Sequence, residues 1–324
     1  MENHFLASIR RNALSLRYYS FSQHLREYFD NPVVKICVDA GFTCPNRDGT
    51  RGYGGCVYCN DKGSGAPYID READVIEQIN SRYKQIIRTG STPSILVYFQ
   101  AFSNTYAPVD HLEKLYRSAL ELENVGGISI GTRPDCVSKE ILDLIAKLSG
   151  ETCVWLEFGL ESMHDRTLES MNRGHTYQDF LKAYREAKKR NIRICLHVII
   201  GLPGESRDDI LETARECARL EPDGIKIHSL YIEKGTVLYD RYLKDPWKIL
   251  SLEEYIDIAA EFLEYLPEKT VIHRLVGEAI PERMVEPGWS ANKNRVLQGI
   301  NKRLEDQNSR QGAKFELINN HRSN

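Results

Sequence analysis

Residues 33–59 read VVKICVDAGFTCPNRDGTRGYGGCVYC. The stretch opens on a β-branched run, Val33–Asp39, and passes into a loop rich in Gly, Asn and Asp that carries Cys44, Cys56 and Cys59. A short Val/Ile run bounded by such residues reads as a strand. Five more runs of this kind follow, at Ile95–Ala101, Gly127–Thr132, Cys153–Leu160, Ile192–Ile200 and Gly224–Tyr231. Helical stretches separate them. Thr176 with Asp179, Ser206 with Asp209 and Ser251 with Glu254 match the capping box that starts a helix. In the last, Leu252, Tyr255, Ile256, Ala259, Phe262, Leu263 and Leu266 share one face, which reads as core-facing.

Six strands alternating with helices predict a parallel sheet with right-handed crossovers. Six units are too few to close an eight-stranded barrel. The expected fold is therefore α/β, a partial (β/α)6 barrel, with chemistry gathered beyond the carboxyl ends of the strands. The expected organisation is an N-terminal extension (1–32), a core (33–280) and a C-terminal appendage packed on the core (281–324). The appendage is richer in Lys and Arg than in Asp and Glu.

The 324 residues carry 43 Lys+Arg against 46 Asp+Glu, a net charge of -3, and 41% are hydrophobic. These values exclude a disordered or collagen-like chain. No stretch approaches the length of apolar sequence that spans a bilayer, so no membrane is expected as partner. The start, MENHFLASIRR, lacks a basic region followed by an apolar run, and the expected location is cytoplasmic. There, eight cysteines are not a disulfide framework. Cys37, Cys136, Cys153, Cys195 and Cys217 lie in apolar or helical stretches and read as small buried hydrophobes.

Cys44, Cys56 and Cys59 form a C-x11-C-x2-C set where burial is a poor explanation. Three thiolates plus a distant His could close a zinc site. Three could equally hold an iron–sulfur cluster and leave one iron open to a ligand. Gly49, Gly52, Gly54 and Gly55 permit the backbone to wrap closely around a bulky group. The spacing favours metal without choosing it.

Further motifs are Thr-Arg-Pro-Asp at 132–135, Gly-Leu-Glu-Ser at 159–162, Asn-Arg-Gly-His at 172–175 and Gly-Leu-Pro-Gly-Glu at 201–205. With the cysteine loop they resemble the radical SAM superfamily, in the branch of the Elongator catalytic subunit and the oxygen-independent coproporphyrinogen dehydrogenase. Cys-Pro-Asn-Arg-Asp-Gly-Thr at 44–50, Phe-Gln-Ala-Phe-Ser-Asn-Thr-Tyr at 99–106 and Glu-Pro-Gly-Trp-Ser-Ala-Asn-Lys at 286–293 are similar to the YtqA/YhcC family. The superfamily's commonest spacing is C-x3-C-x2-C, whereas eleven residues separate the first pair here. Cys37 is the competing first ligand, but its place inside a strand points to packing, and Cys44 is expected.

The resemblance implies a radical SAM barrel binding a [4Fe–4S] cluster through Cys44, Cys56 and Cys59, with S-adenosyl-L-methionine on the open iron. It implies that Tyr58 lies beside the adenine, that Gln100 and Asn104 meet the methionine amino end, and that Glu161 accepts from the ribose hydroxyls. Arg173 would bind the methionine carboxylate; its alternative is a surface pair with Glu169. His197 stands where a relative has a ribose-contacting Asp, with a satisfied core histidine as the equal alternative. The Gly201–Gly204 turn would allow close approach to the adenine. Arg133 and Asp135 could form a buried pair at the barrel rim or touch substrate.

The same resemblance points to transfer RNA as substrate, with the carboxymethylaminomethyl group at C5 of wobble uridine converted to aminomethyl. A reductant such as flavodoxin or ferredoxin would be a further partner. Arg10, Arg11, Arg17 and Arg26 interleave with Tyr18, Tyr19 and Phe21, a pattern compatible with phosphates and stacked bases. Lys293, Arg295, Lys302, Arg303, Arg310 and Lys314 add charge near the other end, and solvated helix faces explain them equally well. The alternatives are a radical SAM enzyme acting on a small molecule such as a porphyrin precursor, and a zinc-binding RNA adaptor.

Overall fold

The strand runs form a parallel sheet in a computed structural model that describes residues 16–63, 65–87, 92–278 and 280–320. The strands β1 (Val33–Val38), β2 (Ser94–Phe99), β3 (Val125–Thr132), β4 (Cys153–Glu161), β5 (Ile194–Ile200) and β6 (Gly224–Ser229) lie side by side in chain order. β7 (Ile232–Glu233) leaves this sheet to pair antiparallel with β9 (Met284–Glu286). Between them β8 (Val271–Arg274) returns as a seventh parallel strand beside β6. The sheet is a curled half-barrel with β1 and β8 at its two ends. The partial barrel expected from the sequence is thus present with one strand more. Four residues ending in His273-Arg274 are too short and too polar to read as a strand alone; pairing with β6 makes them one.

The helices are α1 (Phe21–Tyr28), α2 (Val75–Ile87), α3 (Val109–Leu120), α4 (Lys139–Glu151), α5 (Asp165–Ser170), α6 (Tyr177–Lys188), α7 (Arg207–Leu220), α8 (Val237–Lys244), α9 (Leu252–Tyr265), α10 (Lys293–Asp306) and α11 (Phe315–Asn320). Thr176, Ser206 and Ser251 form both bonds of their capping boxes, so α6, α7 and α9 start where the sequence says. The predicted stripe of α9 faces inward, and Val296, Ile300 and Leu304 of α10 join the same core.

Alternate strand residues take opposite faces. Ile36, Val38, Val97, Phe99, Ile130, Leu156, Phe158, Leu196, Val198, Ile225 and Ile227 pack against the helices. Burying each contributes about 1.5–3 kcal/mol. The intervening positions turn to the concave face and include Lys35, Tyr98, Glu157, His197, Lys226 and His228. In register, Gly159, His197, Lys226 and Arg274 sit side by side on β4, β5, β6 and β8.

Aromatic side chains fill the region near the amino ends of β4 and β6. Phe21 stacks on His273 with centroids 3.9 Å apart and meets Trp155 edge-on. Tyr19 donates its hydroxyl to Glu27, and its carbonyl accepts from the Ile272 N–H. The Phe21 ring is therefore spent on the core and is not a base-stacking surface. Arg10 and Arg11 lie outside the described residues. Lys293, Lys302, Arg303, Arg310 and Lys314 each pair with a carboxylate, as solvated helix faces do. Among the described residues no helix is long and apolar enough to cross a membrane.

Candidate active site

At the carboxyl ends of the strands the curled sheet and the cysteine loop enclose a cavity of about 250 Å³. Cys44, Cys56, Tyr58, Cys59, Gln100, Asn104, Glu161, Arg173 and His197 all line it. Cys37 and the glycines of the 201–204 turn are not among the lining residues. Cys37 sits half-buried in β1, its N–H donating to the Tyr68 hydroxyl; Cys136, Cys153, Cys195 and Cys217 are buried as expected.

Short-range hydrogen bonds fold the loop. The Arg47 N–H donates to the Cys44 carbonyl at 2.7 Å, the Gly55 N–H to the Asn46 carbonyl at 2.8 Å and the Cys59 N–H to the Cys56 carbonyl at 2.9 Å. Arg47 Nη2 then donates to the carbonyls of Cys59 and Asn60. The Asn-Arg-Gly-His turn after α5 grips the loop from the other side. Asn172 Nδ2 donates to the Gly55 and Tyr53 carbonyls, and Asn46 Nδ2 donates back to the Asn172 carbonyl. Gly174 has φ +72°, and a Cβ there would collide with Asn46 Oδ1. Only glycine meets both demands cheaply.

Arg173 joins the loop to the sheet. Its Nη1 donates to Cys56 Sγ at 3.4 Å, and its Nη2 donates to the Gly159 carbonyl at 2.8 Å and pairs with Glu161 at 3.3 Å. The expected alternative of a surface pair with Glu169 does not occur. Arg133 pairs with Asp135 at 2.8 Å, nearly inaccessible on both sides, donates Nη1 to the Arg173 carbonyl and also lines the cavity. Glu161 ends β4 with φ +67°, a costly conformation for a side-chain-bearing residue. Burial raises its carboxyl pKa, while Arg173 and Arg133 oppose the rise.

The other motifs serve the frame. Tyr106 donates to Thr50 Oγ1 at 2.9 Å, linking the segment after β2 to the cysteine loop. Ser162 donates to Glu205 and so joins the Gly-Leu-Glu-Ser and Gly-Leu-Pro-Gly-Glu motifs. Trp289 Nε1 donates to the Leu250 carbonyl, and Asn292 caps α10.

Deeper in the cavity lie groups that the motifs did not disclose. Glu157 is fully buried and pairs with both Lys226 and His197, the latter at 2.8 Å. Lys226 also sits 4.0 Å from the Tyr98 ring centroid. Burial, with Lys226 adding to it, pulls the His197 pKa down to about 4. His197 is a core histidine held by Glu157 that also lines the cavity. Glu157, Cys195 and His197 bring three donor atoms within 4.8 Å of one another, but the Lys226 ammonium already supplies the cation there. Glu157 and Glu161 in β4, His197 in β5, and Lys226 with His228 in β6 were the available signal: titratable residues at even spacing in otherwise apolar strands mark a face turned away from the helices.

The radical SAM superfamily profile matches residues 44–217, and the radical SAM C-terminal domain profile matches residues 222–306. The chain belongs to the radical SAM superfamily. Within it, YtqA of Bacillus subtilis is 41% identical over 302 residues, covering 93% of this chain and 94% of its own. YhcC of Escherichia coli K12 is 34% identical over 274 residues, covering 84% and 87%; the chain is a member of their family. Among solved structures, Elp3 from the archaeon Methanocaldococcus infernus superposes with a TM-score of 0.66 at 19% identity, over 86% of this chain and 64% of that one. That likeness shows the shared fold.

Radical SAM enzymes use a [4Fe–4S] cluster and S-adenosylmethionine, and the cavity fits such groups. Among the described residues, Asn46 Oδ1, Tyr58 OH, Ser103 Oγ, Asn104 Oδ1 and Arg173 Nε are buried polar atoms without a hydrogen-bond partner. All lie in residues of the cavity wall or the loop that borders it. Buried polar atoms ordinarily find partners, so the orphans that border the cavity match a polar ligand there. Asn104 Nδ2 is committed to the Ala101 and Gly131 carbonyls, which leaves its acceptor oxygen open. The thiols fit too. A tetrahedral zinc site with Zn–S of about 2.3 Å holds its sulfurs about 3.8 Å apart. Three thiols on one loop are the donors an iron–sulfur cluster takes, and their sulfurs do not all lie within 4.8 Å of one another, wider than a tetrahedral zinc site.

Proposed function

We propose that Cys44, Cys56 and Cys59 hold the cluster and that the protein is a tRNA-modifying enzyme, converting carboxymethylaminomethyl to aminomethyl at C5 of wobble uridine. When bound, the cluster and S-adenosylmethionine supply a deoxyadenosyl radical that abstracts hydrogen from an unactivated carbon. The observation that carries the reading is one cavity bordered by all three loop cysteines and by the polar groups expected to orient the cofactor. Arg173 donates to Cys56 Sγ and presents its guanidinium to a carboxylate. Asn104 and Gln100 offer neutral amide oxygens to an amine. Glu161 offers a carboxylate to a pair of hydroxyls, and Tyr58 gives an aromatic wall to the base. Leu202 and Leu230 pack with Tyr58 and exclude water from that wall.

Wobble uridine as substrate rests on the motifs shared with the Elongator and YtqA/YhcC sequences, supported by membership of the YtqA/YhcC family. The test is an anaerobic reaction of reconstituted protein with S-adenosylmethionine, a flavodoxin or ferredoxin reductant, and tRNA bearing the modified base. Nucleosides and deoxyadenosine are quantified by mass spectrometry. Conversion of the carboxymethylaminomethyl nucleoside is expected, and deoxyadenosine formation with no nucleoside changed would move the substrate elsewhere.

A further inference from the structure

The concave face of the sheet holds more positive than negative charge. Lys226 and Arg274 are register neighbours on β6 and β8, His228 lies two residues further along β6, and all three line the cavity. Lys35 of β1 and Lys226 both lie against the Tyr98 ring, at 5.1 and 4.0 Å from its centroid. To Lys35, Lys226 and Arg274 the interior offers one carboxylate, Glu157, which Lys226 and His197 share. Glu278 meets Arg274 at 3.1 Å, but it is half exposed and also takes Lys293. Glu161 is engaged by Arg173. Lys35 forms no ion pair among the described residues.

Burying uncompensated charge is costly, and the groups respond to it. Burial, then Lys226 and Arg274, push the Lys35 amine down to about 8. His228 is driven well below its usual value by burial, Arg274 and His197. A ligand that brings a negative charge removes this cost on binding.

We infer that the lumen walled by Tyr98, His197, Lys226, His228 and Arg274 receives a carboxylate of the substrate, with Arg274 and His228 as its direct partners. A guanidinium fork matches a carboxylate in shape as well as charge. The inference rests on the radical SAM reading and deepens it, because the carboxymethylaminomethyl side chain carries such a carboxylate. A small-molecule carboxylate would satisfy the same lumen, and the experiment separates the two sources.

Reconstituted protein saturated with S-adenosylmethionine is dialysed to equilibrium against radiolabelled malonate. Wild type, Arg274→Gln, Arg274→Lys and His228→Asn are compared, with iron content confirming that each is folded. In parallel, stem-loop RNAs bearing 5-carboxymethylaminomethyluridine or its uncharged carboxamide are offered as substrates. Malonate is expected to bind once per chain and to weaken about tenfold or more in Arg274→Gln and His228→Asn, with partial retention in Arg274→Lys. Wild type is expected to favour the carboxylate stem-loop about tenfold or more in KM, and Arg274→Gln to lose that preference. Arg274-dependent malonate binding with neither stem-loop converted leaves the lumen inference standing and removes the tRNA reading. Malonate binding that is absent, or unchanged in both Arg274→Gln and His228→Asn, overturns the lumen inference even where tRNA is converted.

Discussion

Arg173 and Glu161 form a buried ion pair, 3.3 Å between Nη2 and Oε1, at the mouth of the half-barrel. One partner comes from the turn that grips the cysteine loop and the other from the end of β4, so the pair ties that loop to the sheet. Neither residue is satisfied by the pair alone. Arg173 Nε has no hydrogen-bond partner among the described residues, and the left-handed backbone at Glu161 is strained. Groups left incomplete in this way are matched to a ligand.

Glu161→Gln keeps the shape of that side chain and removes its charge. Iron content is expected to stay at the wild-type level while affinity for S-adenosylmethionine falls about tenfold or more, which is about 1.4 kcal/mol. Equilibrium binding to the reconstituted protein reads both; an unchanged affinity would remove the ribose role.

Gly159→Ala should act through the same pair. A Cβ at Gly159 would meet Arg173 Nη2 and Glu161 Oε1, in a packed site where neither can retreat far. The expected result is a folded protein with cofactor affinity lowered at least as much as in Glu161→Gln. Wild-type affinity in Gly159→Ala would mean that Arg173 has room to move and does not position the cofactor.

Acid should destabilise the fold through its histidines. Burial first, then nearby cations, lowers His197 to about 4 and His175 to about 3. His24, His228 and His273 are lowered chiefly by burial as well. The unfolded chain takes up protons near pH 6.5, whereas these folded-state groups wait for lower pH. Unfolding is therefore favoured as pH falls from about 6.5 toward 4. A depression of two pH units corresponds to about 3 kcal/mol. Urea melts at pH 7 and pH 5 should show a clear loss of stability at the lower value, reduced in His197→Asn. Equal stability at the two pH values would contradict the buried, neutral state of these rings.

Much of this arrangement was legible in the sequence because its signals are local. Strand runs, capping boxes and the Cys44–Cys59 spacing depend on neighbours in the chain. Arg173 and Glu161 were findable as site residues, but their pairing was not, since eleven residues, a helix among them, lie between them. β8 escaped because a strand of four residues, Val271–Arg274, owes its state to β6. The lumen escaped for a related reason. Glu157, Lys226 and Arg274 are separately unremarkable charges, and only the register of β4, β6 and β8 shows that they share one interior. Phe21 misled because an aromatic among arginines reads the same whether it stacks on a base or on His273.

The central claim is that Cys44, Cys56 and Cys59 hold the cluster on which cofactor cleavage depends. Its most direct test is iron content and deoxyadenosine yield in anaerobically reconstituted wild type, Cys44→Ala, Cys56→Ala, Cys59→Ala and Cys37→Ala, with reductant and S-adenosylmethionine supplied. About four irons per chain and deoxyadenosine are expected in wild type and in Cys37→Ala, with both lost together in the other three. Full iron and cleavage in Cys44→Ala, or their loss in Cys37→Ala, would contradict the ligand set.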